Sequence, residues 1–191
     1  MTDLNPIIAD RFTEHLEVFG KTMEHMDTIQ EIAYRCKAAL DNGNKILFCG
    51  NGGSAADSQH LAAELIGRFK KERRSFAAVA LTTDTSALTA IANDYDFDTV
   101  FARQVEGLGR TGDVLIGIST SGNSKNVVKA AEMARSIGMH TIAFTGEGGG
   151  KLAELCDITL AIPSNVQLVF KKCIFWLGTL CANLLKRIIN L

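Results

Sequence analysis

Apolar positions along this chain recur in two different periods. From Phe12 they return every three or four residues, through Leu16, Phe19, Met23, Met26, Ile29, Ala33, Cys36 and Leu40, the spacing of one helix face. That spacing predicts an N-terminal helical region over residues 1–42, ending near Asn42-Gly43, whose apolar stripe needs a partner. Beyond it, short β-type runs at 45–50, 77–81, 114–119, 141–145 and 158–162 alternate with helical patterns. Strands apolar on both faces and separated by helices imply a parallel sheet in an α/β sandwich. No internal repeat, low-complexity segment or linker interrupts the pattern, so residues 1–191 are expected to form one domain.

Two of the strand-to-helix corners carry candidate chemistry. Lys45-Ile-Leu-Phe-Cys-Gly-Asn-Gly-Gly-Ser54 and Asp113-Val-Leu-Ile-Gly-Ile-Ser-Thr-Ser-Gly-Asn-Ser124 each run from apolar into small and hydroxylic residues before a helical segment. Backbone N–H groups and hydroxyls then cluster at a helix N-terminus, where the dipole favours an anion such as phosphate. Neither corner is a Walker motif, and Gly50-Asn-Gly-Gly lacks the spacing of a dinucleotide site, so a phosphorylated small molecule fits better than a nucleotide. One such corner is ordinary turn chemistry. Two of them, with Ser119, Thr120, Ser121 and Ser124, favour the phosphate reading. The glycine-rich stretch 146–150 falls in a loop at the end of a strand, on the rim where such sheets bind ligands.

Composition narrows the partners. A chain of 191 residues with 47% hydrophobic content suits one compact domain rather than two. With a formal net charge of −1 and dispersed basic residues, no nucleic acid is expected as partner; the run Lys70-Lys-Glu-Arg-Arg74 reads as a solvated helix end. Five cysteines without a C-x-x-C pair point to reduced thiols and a cytoplasmic protein. Residues 1–20 carry acids and no apolar signal-peptide core. The apolar stretch 173–185, broken by Gly178, Thr179 and Asn183, is too short to span a bilayer, so no membrane partner is expected.

The segment after Ser54 reads Ala55-Ala-Asp-Ser-Gln-His-Leu-Ala-Ala-Glu64. His60 and Glu64, four residues apart, share a helix face and could bind a divalent metal or divide a proton-transfer task. Spacing alone favours a surface pair; the functional reading gains weight because the helix starts at the Gly-Gly-Ser corner, which places Glu64 near any ligand held there. Asn93-Asp94 adds polar groups for a polyol, although that dipeptide is also common turn chemistry.

These residues resemble the sugar isomerase (SIS) domains, and most closely the bacterial phosphoheptose isomerases that act on sedoheptulose 7-phosphate. The likeness runs to about Ser164 and rests on Cys-Gly-Asn-Gly-Gly-Ser54, Gln59-His-Leu-Ala-Ala-Glu64 with Gly67-Arg68-Phe69, Ala92-Asn-Asp94 and Ile118-Ser-Thr-Ser-Gly-Asn-Ser124. It implies a flavodoxin-like three-layer αβα sandwich with a five-stranded parallel sheet, assembled as a homotetramer. It implies that Ser119, Thr120, Ser121 and Ser124 cradle phosphate and that Asn51, Gly52, Gly53, Ser54, Asn93 and Asp94 line the sugar. His60 and Glu64 match two of the family's zinc ligands, and Glu64 also matches its substrate-binding general acid/base. The implied reaction is aldose–ketose isomerisation through an enediol, feeding the heptose of the lipopolysaccharide core.

After Asn165 the chain departs from this pattern. The family has a C-terminal helix beginning Arg-Ile-Gln-Glu-x-His with a second His later; that Gln and second His complete the zinc site, and the second His is the other acid/base. Here the chain reads Val166-Gln-Leu-Val-Phe-Lys-Lys-Cys-Ile-Phe-Trp-Leu-Gly-Thr179, and no His follows His140. Read from the third base of each codon, the Phe170/Lys171 junction allows Gln, Lys171/Lys172 allows Glu, and Cys173/Ile174 and Gly178/Thr179 allow His. The shifted tail can spell Arg-Ile-Gln-Glu-Met-His-Ile-Leu-Val-Gly-His, and loss of one base from an Asp codon would generate Val166. Residues 166–191 are therefore expected to be a frameshift product, against the competing account of chance resemblance. Val169, Phe170, Cys173, Trp176, Leu177, Leu180, Leu184 and Ile188 keep helical spacing, so a helix covering the core is still expected.

Three functions compete: a phosphoheptose isomerase; a non-catalytic SIS protein that binds a replication initiator or senses sugar phosphates; and an isomerase of another phosphosugar. Glu64 argues against the initiator-binding type, and the missing C-terminal His against catalysis.

Overall fold

The computed structural model describes residues 3–67, 74–164, 172, 173 and 179. The helical region is two helices, α1 (Asn5–Lys21) and α2 (Met26–Asp41), joined by a 3-10 turn at Thr22–His25. It stops where the sequence places the stop, with Asn42 as cap and Gly43 at a φ of 78°, a left-handed setting that glycine adopts without a steric penalty. The apolar stripe divides in two. Ile29, Ala33, Cys36 and Leu40 of α2 are buried, whereas α1 has no buried residue and Phe12, Leu16, Met23 and Met26 are 62–72% exposed.

Five strands form one all-parallel sheet in the order β2-β1-β3-β4-β5: β1 (Ile46–Gly50), β2 (Ala78–Ala80), β3 (Val114–Ser119), β4 (His140–Thr145) and β5 (Ile158–Ala161). The five expected runs are the five strands. The outer two are shorter than their apolar runs because each has only one neighbour to pair with. Along β3, Val114, Ile116 and Ile118 enter one core and Leu115 the other, as strand alternation requires. The first core lies under α2 and α3 (Gly53–Ile66), where Ile32, Leu40, Leu61 and Leu65 pack on Ile46, Phe48, Phe144 and Leu160; Cys173 joins it. The second lies under α5 (Val100–Leu108), α6 (Lys125–Ser136) and α7 (Gly150–Leu155), with Val105, Val127, Ala134 and Leu152 on Leu47, Cys49 and Ala143. Helix α4 (Thr85–Asp94) adds Leu88 and Ile91 at its margin. This is the expected three-layer sandwich. Lys172, Cys173 and Thr179 are helical; the rest of the expected tail helix, and most of the basic run before Arg74, lie outside the described residues.

The strand order reverses between β1 and β3, because the chain leaves β1 toward β2 and returns on the other side. That reversal opens a crevice at the carboxyl ends of the strands. The opposite end is held by Asp113, 1% exposed, which accepts from the Asn44 side chain, the Lys45 and Arg110 backbone amides and the Lys45 ammonium. Burial alone would push its carboxyl up, but these hydrogen bonds outweigh it and hold the group below the usual carboxylate range. A depressed native pKa stabilises the fold above the unfolded value of ~3.9, and this contribution is lost as pH falls through the native value. Asp113→Asn should therefore lower stability by about 1.5–3 kcal/mol at pH 7, with the gap from wild type closing below pH ~4. Denaturant titration at the two pH values checks it; a gap independent of pH would remove the charge from the explanation.

Candidate active site at the sheet rim

Both motif-bearing corners flank the reversal. At the first, Gly50 allows the close approach: a Cβ there would stand 2.8 Å from Ser54 Cβ and 2.9 Å from the Ile118 carbonyl. Gly52 takes a φ of 56° with open space where a side chain would go, so conformation rather than packing calls for glycine. The Asn51 and Gly52 carbonyls accept from the Ser54 and Ala55 amides at 2.9 and 3.1 Å. These tight bonds start α3 without any side-chain cap. Gly53 is half-buried and Ser54 is buried inside this turn.

At the second corner the hydroxyls divide their labour. Ser119 is 3% exposed and its Oγ lies 2.9 Å from Ser124 Oγ and 3.5 Å from Ser121 Oγ. It shapes the loop from beneath. Ser121 is exposed, Thr120 and Ser124 are half-buried, and no side chain caps α6; the Val127 amide turns back to the Ser124 carbonyl at 3.0 Å, and the positive end of the helix dipole lies at the carboxyl end of β3. The glycine-rich loop, read from sequence as a ligand rim, buttresses this corner. The Gly146 amide donates to the Thr120 carbonyl at 2.9 Å, the Leu152 amide to the Gly122 carbonyl at 3.0 Å and the Lys151 amide to Asn123 Oδ1 at 3.1 Å. Gly122 lies so close to the Gly149 carbonyl that a Cβ would collide with it.

His60 and Glu64 lie on α3 as their spacing requires, with Nε2 and Oε1 3.9 Å apart and side chains 31% and 17% exposed. The Thr179 hydroxyl stands 3.4 Å from His60 Nε2. The codon-shift reading places residue 179 opposite this pair, and so does the fold; Lys171 lies outside the described residues. A closed or catalytic zinc site takes at least three protein ligands. His60 and Glu64 are two, the third direction holds a neutral hydroxyl, and among the described residues no three His, Cys, Asp or Glu side chains cluster. The donors among the described residues do not fit zinc.

Asn93 and Asp94 are exposed in the last turn of α4 and bond to each other at 2.9 Å; among the described residues they make no hydrogen bond to either corner. Two further residues were given no role by the sequence. Asn126 is 3% exposed and pairs reciprocally with Asn51, Nδ2 to Oδ1 at 2.8 Å both ways. Its signal was present, since an Asn next to Val127 on the apolar face of α6 sits at a core position. Asn123 ties the loop to α7 and to the Ser121 carbonyl at 2.8 Å. Burial pushes the Cys49 and Cys156 thiols up, Cys156 to about 11, so neither offers a thiolate nucleophile at neutral pH.

Known proteins match this arrangement. The SIS domain profile covers residues 10–146. The phosphoheptose isomerase of Aliarcobacter butzleri is 59% identical over 159 residues, 83% of this chain and 84% of that one. That of Akkermansia muciniphila is 53% identical over 180 residues, 94% of this chain and 92% of that one. The solved structure of the phosphoheptose isomerase from Neisseria gonorrhoeae superposes with a TM-score of 0.92 at 43% identity, covering 97% of this chain and all of that one. This chain belongs to the phosphoheptose isomerase family of SIS domain proteins.

Proposed function

We propose that this protein binds sedoheptulose 7-phosphate across the crevice and that its scaffold serves interconversion with D-glycero-D-manno-heptose 7-phosphate, an aldose–ketose isomerisation that supplies heptose for lipopolysaccharide core. The observation that carries this reading is the placement of an uncapped, hydroxyl-lined helix N-terminus and a carboxylate-bearing helix on the two sides of one strand-order reversal. The relatives' shared name points the same way and sets the enzyme reading ahead of the non-catalytic one.

In this reading Thr120, Ser121, Ser124 and the first amides of α6 hold the phosphate dianion, with Ser119 fixing their loop. Asn51, Gly52 and Gly53 meet the polyol, and Asn93 and Asp94 approach it from the end of α4. Glu64 takes a proton from C1 of the ketose and returns it to C2, giving the aldose through an enediol. Ser121→Ala should weaken sedoheptulose 7-phosphate binding by about 1.5–3 kcal/mol, the worth of a charge-assisted hydrogen bond. Calorimetry reads it, and unchanged affinity would take the loop out of the site. An isomerase assay over heptulose, hexulose and amino-sugar phosphates fixes the sugar.

The exposed half of the N-terminal stripe supports a homo-oligomer, read from the family as a tetramer. A helix with no buried residue and large apolar side chains at Phe12 and Leu16 presents a contiguous patch of the kind that marks association. Placing Asp at both positions removes about 1.5–3 kcal/mol of burial each and should shift sedimentation to a smaller species; an unchanged profile would move the interface elsewhere. The cytoplasm is the proposed location, supported by four described cysteines that form no disulfide. No described helix is long and apolar enough to cross a membrane.

A further inference from the structure

The reciprocal Asn51–Asn126 pair joins two elements that the motifs treat separately. Asn51 follows β1 at the corner that leads into α3; Asn126 sits in the first turn of α6, at the corner that leads out of β3. Both hydrogen bonds are 2.8 Å, and Asn126 is 3% exposed. A primary amide has two N–H donors and two acceptor lone pairs. Each partner therefore commits one donor and one acceptor to the pair and keeps one of each. The remaining capacity of Asn51, which is half-buried beside exposed Gly52, is held in one orientation by a partner that water cannot replace. Losing that partner leaves a buried amide unsatisfied, which is more costly than losing a solvated bond.

We propose that Asn126 is a positioning residue for the sugar chain. Through Asn51 it sets the β1–α3 corner, where the polyol lies, at a fixed separation and orientation relative to the α6 N-terminus, where the phosphate lies. The role rests on a sugar phosphate spanning the two corners. A ligand that touches both depends on the clamp; inorganic phosphate, which touches only the α6 end, does not.

Calorimetry on the full chain with sedoheptulose 7-phosphate and with inorganic phosphate tests this without requiring turnover, using Asn51→Ala, Asn126→Ala and the double variant. Each single variant should weaken the sugar phosphate by about 10-fold, the effect of one to two lost hydrogen bonds, while leaving inorganic phosphate within about twofold. The double variant should lose little more than either single one, because two residues that act as a unit are not additive. Equal losses for both ligands would overturn the proposal by making Asn126 a mere support of the α6 turn, and additive losses would overturn it by making the residues independent. If Asn126→Ala does not fold, the near-isosteric Asn126→Leu, which fills the same volume without either hydrogen bond, decides by the same ligand ratio. Wild-type protein that binds inorganic phosphate but no phosphosugar would sink the sugar-phosphate reading and this role with it. Tight wild-type binding with a ratio unmoved in the variants would sink this role only.

Discussion

Restoring the reading frame after Asn165 should raise the rate of sedoheptulose 7-phosphate isomerisation by about 10²–10⁴-fold over the present chain, the usual contribution of one positioned acid or base. The geometry behind this number is local. In the proposed reaction Glu64 moves the carbon-bound proton, and the proton exchanged between the two substrate oxygens needs a second group that changes ionisation near neutral pH. At the place opposite His60 the chain offers the Thr179 hydroxyl, 3.4 Å from Nε2, and an alcohol does not ionise there. Among the described residues the cradle's hydrogen bonds run among 119–124 and 146–152. Affinity for the sugar phosphate should therefore change little while turnover changes greatly. One assay comparing the two proteins at saturating substrate decides it. Equal rates would sink both the frameshift account and the role given to the residue at 179. A parallel loss of binding would instead tie the tail to the polyol corner.

The sheet was legible from sequence because burial on both faces leaves little freedom: β3 is buried at every position and carries no polar side chain before its last residue, Ser119. The corners were legible because Gly50, Gly52 and Gly122 have no substitute at their backbone settings or contacts. The division of labour inside the cradle was not, since Ser119, Ser121 and Ser124 are one residue type and only the fold turns Ser119 inward. Long-range partnership was also hidden. Asn51 and Asn126 are 75 positions apart, and no local period reports which polar residue in α6 meets β1. The exposed state of Phe12 and Leu16 could not be read either, because a helical stripe is the same pattern whether its cover is this chain or another.

Thr179→His should give stoichiometric zinc binding, with an affinity gain of at least about 100-fold over the present chain, since even ligand-supporting residues are worth 10–100-fold. Two donors on α3, 3.9 Å apart, hold a divalent cation weakly because most of its coordination shell must stay with water. An imidazole at 179 adds a third nitrogen or oxygen donor from a separate element, giving the three-ligand set of a zinc site with an open position. The gain should shrink at acid pH, because protons compete with metal for its ligands. Elemental analysis after dialysis, followed by competition with a coloured chelator at pH 7.5 and 5.5, measures both parts. Stoichiometric zinc in the unmodified chain would mean that another residue completes the site, and no gain in the variant would mean that position 179 does not serve the His60–Glu64 pair. Because one substitution supplies the metal ligand without the rest of the repaired tail, comparing its turnover with that of the frame-restored protein separates the missing imidazole from the missing Gln. A variant that gains zinc but stays slow would place the remaining deficit elsewhere in the tail.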